Sequence, residues 1–214
     1  MPGNGAEIVE TQARRAMIVA LITFFLGIVW PATLAFSDPI PRLRHPAIID
    51  SAYFAFALWA GASVLMLQVA RVNWKPGEPS LRAVQWAWFL AWVLFAVHVW
   101  YAFRFAHGMS HRNAIRHVET TSGFGPGLFV SYAFTLMCMI DALWLALNSP
   151  SYTRRPRWFG YALHGFFVFI TFNGTVVYGH GFMRWVCLGV FACLAGQWMW
   201  SIRTARRGTA PQIL

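Results

Sequence analysis

The sequence predicts an all-α, polytopic membrane protein, with six transmembrane helices in one antiparallel bundle. Three observations predict it. Hydrophobic residues make up 58% of the 214 positions and charged residues only 11%, whereas a soluble domain carries about 25% charged residues. The apolar residues gather into six runs near the ~20 residues that a helix needs to cross a bilayer. None of these runs alternates polar and apolar positions, as the strands of a closed barrel would, and a barrel is the only other way to span. A soluble, disordered or collagen-like chain is thereby excluded.

The first run, Ala16 to Phe36, is expected to be retained. Its length exceeds the roughly 7–15 residues of a signal core, no A-x-A site follows, and the acidic Glu7 and Glu10 precede it. Pro31 is expected to kink its far end. The later runs are Ser51 to Ala70, Val84 to Phe105, Phe124 to Leu147, Trp158 to Tyr178 and Trp185 to Ile202. The connections are short, ten residues for Asn148 to Arg157 and six for Gly179 to Arg184. Consecutive helices are therefore expected to be antiparallel neighbours. They form one domain over residues 16–202, with an N-terminal segment over 1–15 and a basic tail over 203–214.

Seventeen basic residues stand against seven acidic ones. They lie between the apolar runs, as loop and bilayer-end residues do, and not on a basic face with stacking aromatics, so no nucleic-acid partner is expected. One side of the bundle carries eleven of them: Arg14, Arg15, Arg71, Lys75, Arg82, Arg154, Arg155, Arg157, Arg203, Arg206 and Arg207. The other carries six: Arg42, Arg44, Arg104, Arg112, Arg116 and Arg184. The positive-inside rule then puts both termini in the cytoplasm. Sixteen arginines to one lysine is a GC-rich bacterial bias, and the expected location is a bacterial inner membrane. Cys138, Cys187 and Cys193 lie inside apolar runs and form no CxxC, so they read as small buried hydrophobes.

The chemistry-bearing residues are the seven histidines. At 1.5 Å per residue, His107 and His180 lie ~34 and ~33 Å from the cytoplasmic boundary, a common level at the outer rim. His111 follows His107 at i+4, and a helix continuing past the bilayer through Ala106 to Val118 would put both on one face. His107, His111 and His180 are therefore the expected ligands of a transition metal (Cu, Zn or Fe), with His117, Glu119, His45 and Asp50 as possible additions. The alternative is that these are solvated interfacial residues or helix caps, His45 and His117 foremost.

His98 and His111 lie on or beyond the third run, and His164 and His180 on or beyond the fifth. This placement of two histidines on each of two parallel outward helices loosely resembles the six-helix b-type cytochromes of the ferric-reductase kind. The resemblance implies haem b. His98 and His164 are staggered by ~12 Å, too far for one haem plane, which leaves His107 with His180 as an outer pair.

Inside the bilayer, Asp141 and His164 fall at the same depth on adjacent spans and are expected to pair, because a lone buried carboxylate is costly. His98 and Asn173 share a level and are expected to bond. G-x-S-x-G, H-E-x-x-H and Walker motifs are absent, and the stretch Gly123 to Gly127 reads as a turn opening a helix. A four-residue echo, Phe105-Ala106-His107-Gly108 against Tyr178-Gly179-His180-Gly181, is too short to count as a repeat. The functional expectation is an integral membrane protein with an outer histidine site for redox or metal handling. Its alternatives are a non-catalytic subunit with membrane-protein partners, or a small transporter for which Pro31 and Asn173-Gly174-Thr175 are the only hints.

Overall fold

The computed structural model describes residues 3–68 and 77–206. Among these it has eight α-helices and no strand. They are α1 (Gly3–Ser37), α2 (Pro46–Gln68), α3 (Pro79–Tyr101), α4 (His111–Ser122), α5 (Gly127–Leu147), α6 (Ser149–Arg154), α7 (Arg157–Phe172) and α8 (Gly181–Arg206). A π-helical turn prolongs α3 over Ala102–Ala106, and another prolongs α7 over Asn173–Val177. Six of these helices, all but α4 and α6, are long and apolar enough to cross a membrane. The protein is thus a multi-pass α-helical bundle. Val69, Ala70, Arg71, Lys75 and the tail 207–214 lie outside the described residues.

The helix ends follow local chemistry. His45 begins α2: its Nδ1 accepts the Ala47 N–H (3.1 Å) and its Nε2–H donates to the Asp38 carbonyl (2.6 Å), so it is a buried cap. Pro79 sits in the first turn of α3, where a missing N–H costs nothing. Asn148 Oδ1 accepts from the Ser151 N–H (3.1 Å) and starts the short α6 inside the loop between α5 and α7.

The first three helices pack tightly together. Gly27 makes this possible, since a Cβ there would lie 2.5 Å from Leu94 Cδ2 and 2.8 Å from Phe54 Cβ. Pro31 stands one turn further on, fully buried, and α1 runs through it uninterrupted. Next, α5 packs on α3, α7 on α5, and α8 on both α7 and α2. The result is a ring of α2, α3, α5, α7 and α8, with α1 outside it against α2 and α3. Large apolar side chains face outward, Phe36, Trp158 and Phe182 among them, and form a surface suited to lipid.

Three expectations are corrected. The outer end of α3 does not continue to Val118. It stops after the π-turn, Gly108 and Met109 take positive φ (57° and 59°), and Ser110 caps a new helix by accepting from the Asn113 N–H (3.4 Å). His107 and His111 therefore lie on different elements and do not share a helix face. Arg155 is not a loop cation: its side chain is only 2% exposed and reaches inward to Asp141. His98 does not meet Asn173. Its Nδ1 lies 3.1 Å from the Ile48 carbonyl and 3.2 Å from Ser51 Oγ, while Asn173 Nδ2 donates to the Phe169 carbonyl (2.7 Å) in its own helix.

Candidate functional site

The ring of helices encloses a cavity of about 360 Å³. On α3 it is lined by Trp88, Trp92, Phe95 and His98, successive turns of one helix face, and it ends at Phe103 and His107. Phe56 and Trp59 of α2 face them, with Tyr132, Thr135 and Cys138 of α5 and Thr171, Gly174 and Thr175 of α7. Residues of both π-turns, Ala102 and Phe103 on one and Gly174 and Thr175 on the other, belong to this lining. π-helical turns are rare and are found frequently at functional sites. Both are followed within a few residues by a His-Gly pair whose glycine takes positive φ, Gly108 at 57° and Gly181 at 65°. The four-residue echo in the sequence thus marks two helices that end in the same way.

Polar groups in the lining are unequally satisfied. Thr135, Thr171 and Thr175 donate their hydroxyl protons to carbonyls of their own helices. Trp59 Nε1, Trp92 Nε1 and His107 Nδ1 are buried with no hydrogen-bond partner, and all three side chains line the cavity. Burial holds the His107 pKa below the ordinary imidazole value, and the neighbouring His117 lowers it further. A buried polar atom without a partner costs about 1–3 kcal/mol, so three around one cavity call for a physical reason.

At the other end of the lining, Trp88 connects the cavity to a paired cluster. Asp141 on α5 accepts from the Trp88 indole (2.9 Å), the Tyr152 hydroxyl (3.1 Å) and Arg155 Nη1 (2.8 Å). Arg155 Nη2 lies 3.0 Å from His164 Nε2, and the guanidinium stacks 3.8 Å over the Tyr152 ring. Asp141 and His164 do belong to one cluster, but Arg155 stands between them. Burial and the adjacent carboxylate push the Tyr152 phenol up, so it stays a donor. The guanidinium packs against Gly160, where a Cβ would stand in ordinary contact with Arg155 Nε at 3.5 Å.

The outer histidines are dispersed. The His107 and His117 rings lie 5.3 Å apart. His111 Nδ1 is 2.7 Å from the Tyr132 hydroxyl, and Phe103 lies against both His107 (5.8 Å) and His111 (5.1 Å). His180 is exposed in the turn between α7 and α8, and Glu119 is exposed on α4. Asp50 accepts from the Trp30 indole (2.7 Å), and both ring nitrogens of His45 are engaged. Among the described residues, no three His, Cys, Asp or Glu side chains converge as a metal site requires.

Sequence reasoning missed Trp59, Trp92, Tyr132 and Arg155. The available signals were the Trp88-Trp92-Phe95-Val99 stripe at helical spacing and the hydroxyl pairs Ser131/Thr135 and Thr171/Thr175. Compared with known protein families, with curated proteins and with solved structures, this chain matches none.

Proposed function

We propose that this membrane protein binds a lipid-soluble molecule with a flat conjugated ring bearing carbonyl oxygens, of the quinone class, in the cavity between α2, α3, α5 and α7. The observation that carries the reading is the pair of unpaired buried indole donors, Trp59 Nε1 and Trp92 Nε1, in the lining of one cavity whose α4 end holds a third unpaired atom, His107 Nδ1. Indole N–H groups only donate, so the complementary ligand offers lone pairs. Walls of tryptophan and phenylalanine suit a flat ring better than an alkyl chain alone. His107 stands fifteen residues beyond Trp92, about 22 Å of helix rise, beyond the reach of the same ring; its nitrogen, which donates or accepts according to its tautomer, makes the α4 end of the cavity polar.

Orientation belongs to the same proposal. With Arg155 withdrawn into the bundle, ten basic residues remain on one side (the eleven above less Arg155) against six on the other. This balance supports cytoplasmic termini in a bacterial inner membrane, with the His107 end of the cavity toward the periplasm. Organic extraction of protein purified in mild detergent tests the reading. The extract is expected to contain a near-stoichiometric ring compound with quinone absorbance. Phospholipid alone in the extract would count against it.

The separation of His107 and His117 supports a second reading. Two imidazoles sharing one ion at ~2 Å bonds have ring centres about 5 Å apart, and these rings are 5.3 Å apart. A transition metal (Cu, Zn or Fe) held by this pair and completed by water is the form in which the outer metal site survives. Equilibrium dialysis against each metal tests it: uptake of one equivalent that His117→Ala abolishes supports it, and equal uptake by the variant overturns it. A haem b between His107 and His180 has less support, because His180 is exposed on its turn.

A further inference from the structure

A second hollow, of about 350 Å³, lies where α5 gives way to α6 and α7. Trp144, Ser151, Arg154, Arg155 and Trp158 line it. From Asn148 to Gly160 the chain carries three arginines, Arg154, Arg155 and Arg157, and no carboxylate. The nearest acid, Asp141, is already bound to Arg155, so the cluster keeps an excess of positive charge. Arg154 is exposed at the mouth, while Arg155 forms the wall, 6% exposed, with its Nε buried and unpartnered. Helix α7 begins here after Pro156 with no side-chain cap and no acidic residue in its first turn. Its free N–H groups and its dipole therefore favour an anion at the same place. Trp158 is 69% exposed beside the hollow, as an interfacial anchor is.

We propose that this hollow holds the phosphate of an anionic phospholipid headgroup. Arginine cations, an uncapped helix start and a tryptophan at the end of a transmembrane hairpin are what a lipid phosphodiester meets in a basic headgroup site. A lipid phosphate there would sit over the outer side of the Asp141–Arg155 cluster and screen the positive charge left at its surface.

The test uses the full-length protein in detergent. Retention of phosphatidylglycerol and of phosphatidylcholine is measured by native mass spectrometry, and unfolding temperature is followed with each lipid or with inorganic phosphate. Phosphatidylglycerol is expected to be retained preferentially and to raise the unfolding temperature. Arg154→Gln is expected to weaken that retention about fivefold, the factor equivalent to ~1 kcal/mol per surface arginine. Arg116→Gln on α4, at the other end of the bundle, leaves it unchanged. Equal retention of the two lipids, or an Arg154→Gln protein indistinguishable from its parent, overturns the proposal. Inorganic phosphate stabilising as well as the lipid overturns the lipid assignment and gives the hollow to a soluble phosphate.

Discussion

At the α6 end of the cavity, Asp141 accepts three hydrogen bonds, and Arg155 is paired, stacked and beside His164. From mid-span to the α4 end, two indole nitrogens, of Trp59 and Trp92, and one imidazole nitrogen, of His107, are buried without a partner. Trp88 and Trp92 make the contrast concrete. They stand one turn apart on α3, both line the cavity, and both bury most of their surface. One indole N–H meets a carboxylate and the other meets nothing. Buried polarity that is satisfied within the chain holds helices together. Buried polarity left unsatisfied is a cost to the apo fold, which a ligand can remove by bonding to it.

The largest expected effect falls on the paired end. Asp141→Asn leaves Arg155 buried without its counter-charge and is expected to cost about 3–5 kcal/mol. Chemical unfolding in detergent micelles measures it. Replacing both partners, Asp141→Leu with Arg155→Met, is expected to be much milder than the single change, because the desolvation of both charges is relieved together. If the single and double variants were equally damaged, the pair would not be the element that matters.

The two tryptophans sharpen the comparison directly. Trp88→Phe loses a hydrogen bond to a charged acceptor and is expected to cost about 1.5–3 kcal/mol. Trp92→Phe removes an unpaired donor and is expected to leave stability unchanged or slightly raised, while weakening ligand binding. Equal losses of stability from both would show that the paired and the unpaired indole do not differ. Away from the cavity, Gly27→Leu overpacks the α1 contact with Phe54 and Leu94 and is expected to cost ~1–3 kcal/mol with ligand binding intact.

The smallest effect is the pH dependence of the unpaired end. Burial keeps the His107 pKa below its unfolded value of about 6.5. The unfolded chain therefore takes up the proton first, and stability present above that value declines as pH falls through the folded pKa. His107→Phe is expected to flatten this acid-side decline. His117 faces His107, so His117→Gln should flatten it in part. An unchanged pH profile in His107→Phe would remove His107 as the titrating group.

What the sequence made legible follows from the kind of signal each feature leaves. Six spans register as long apolar runs, and the structure has a helix for each. The depth match of Asp141 and His164 located the right cluster, because axial position follows from residue count alone. Arg155 escaped because its Arg-Arg-Pro-Arg context is that of a loop, and only the turn of α6 carries it inward. The break after His107 was written in Gly108 and in Ser110, a capping residue three positions before Asn113, but the i, i+4 histidine spacing favoured a continuous helix. The cavity lining was not legible, because in a membrane span aromatic residues facing lipid and aromatic residues facing a cavity have the same composition.

The most direct test of the central claim is titration of the reconstituted protein with a short-chain decyl benzoquinone, following quenching of tryptophan fluorescence. Gly174 lines the cavity with open space where its side chain would be, so Gly174→Phe should fill it without disturbing the paired end. Saturable quenching is expected in the parent protein, and loss of saturation in Gly174→Phe. Quenching that rises linearly with quinone, or that saturates alike in both proteins, would contradict it.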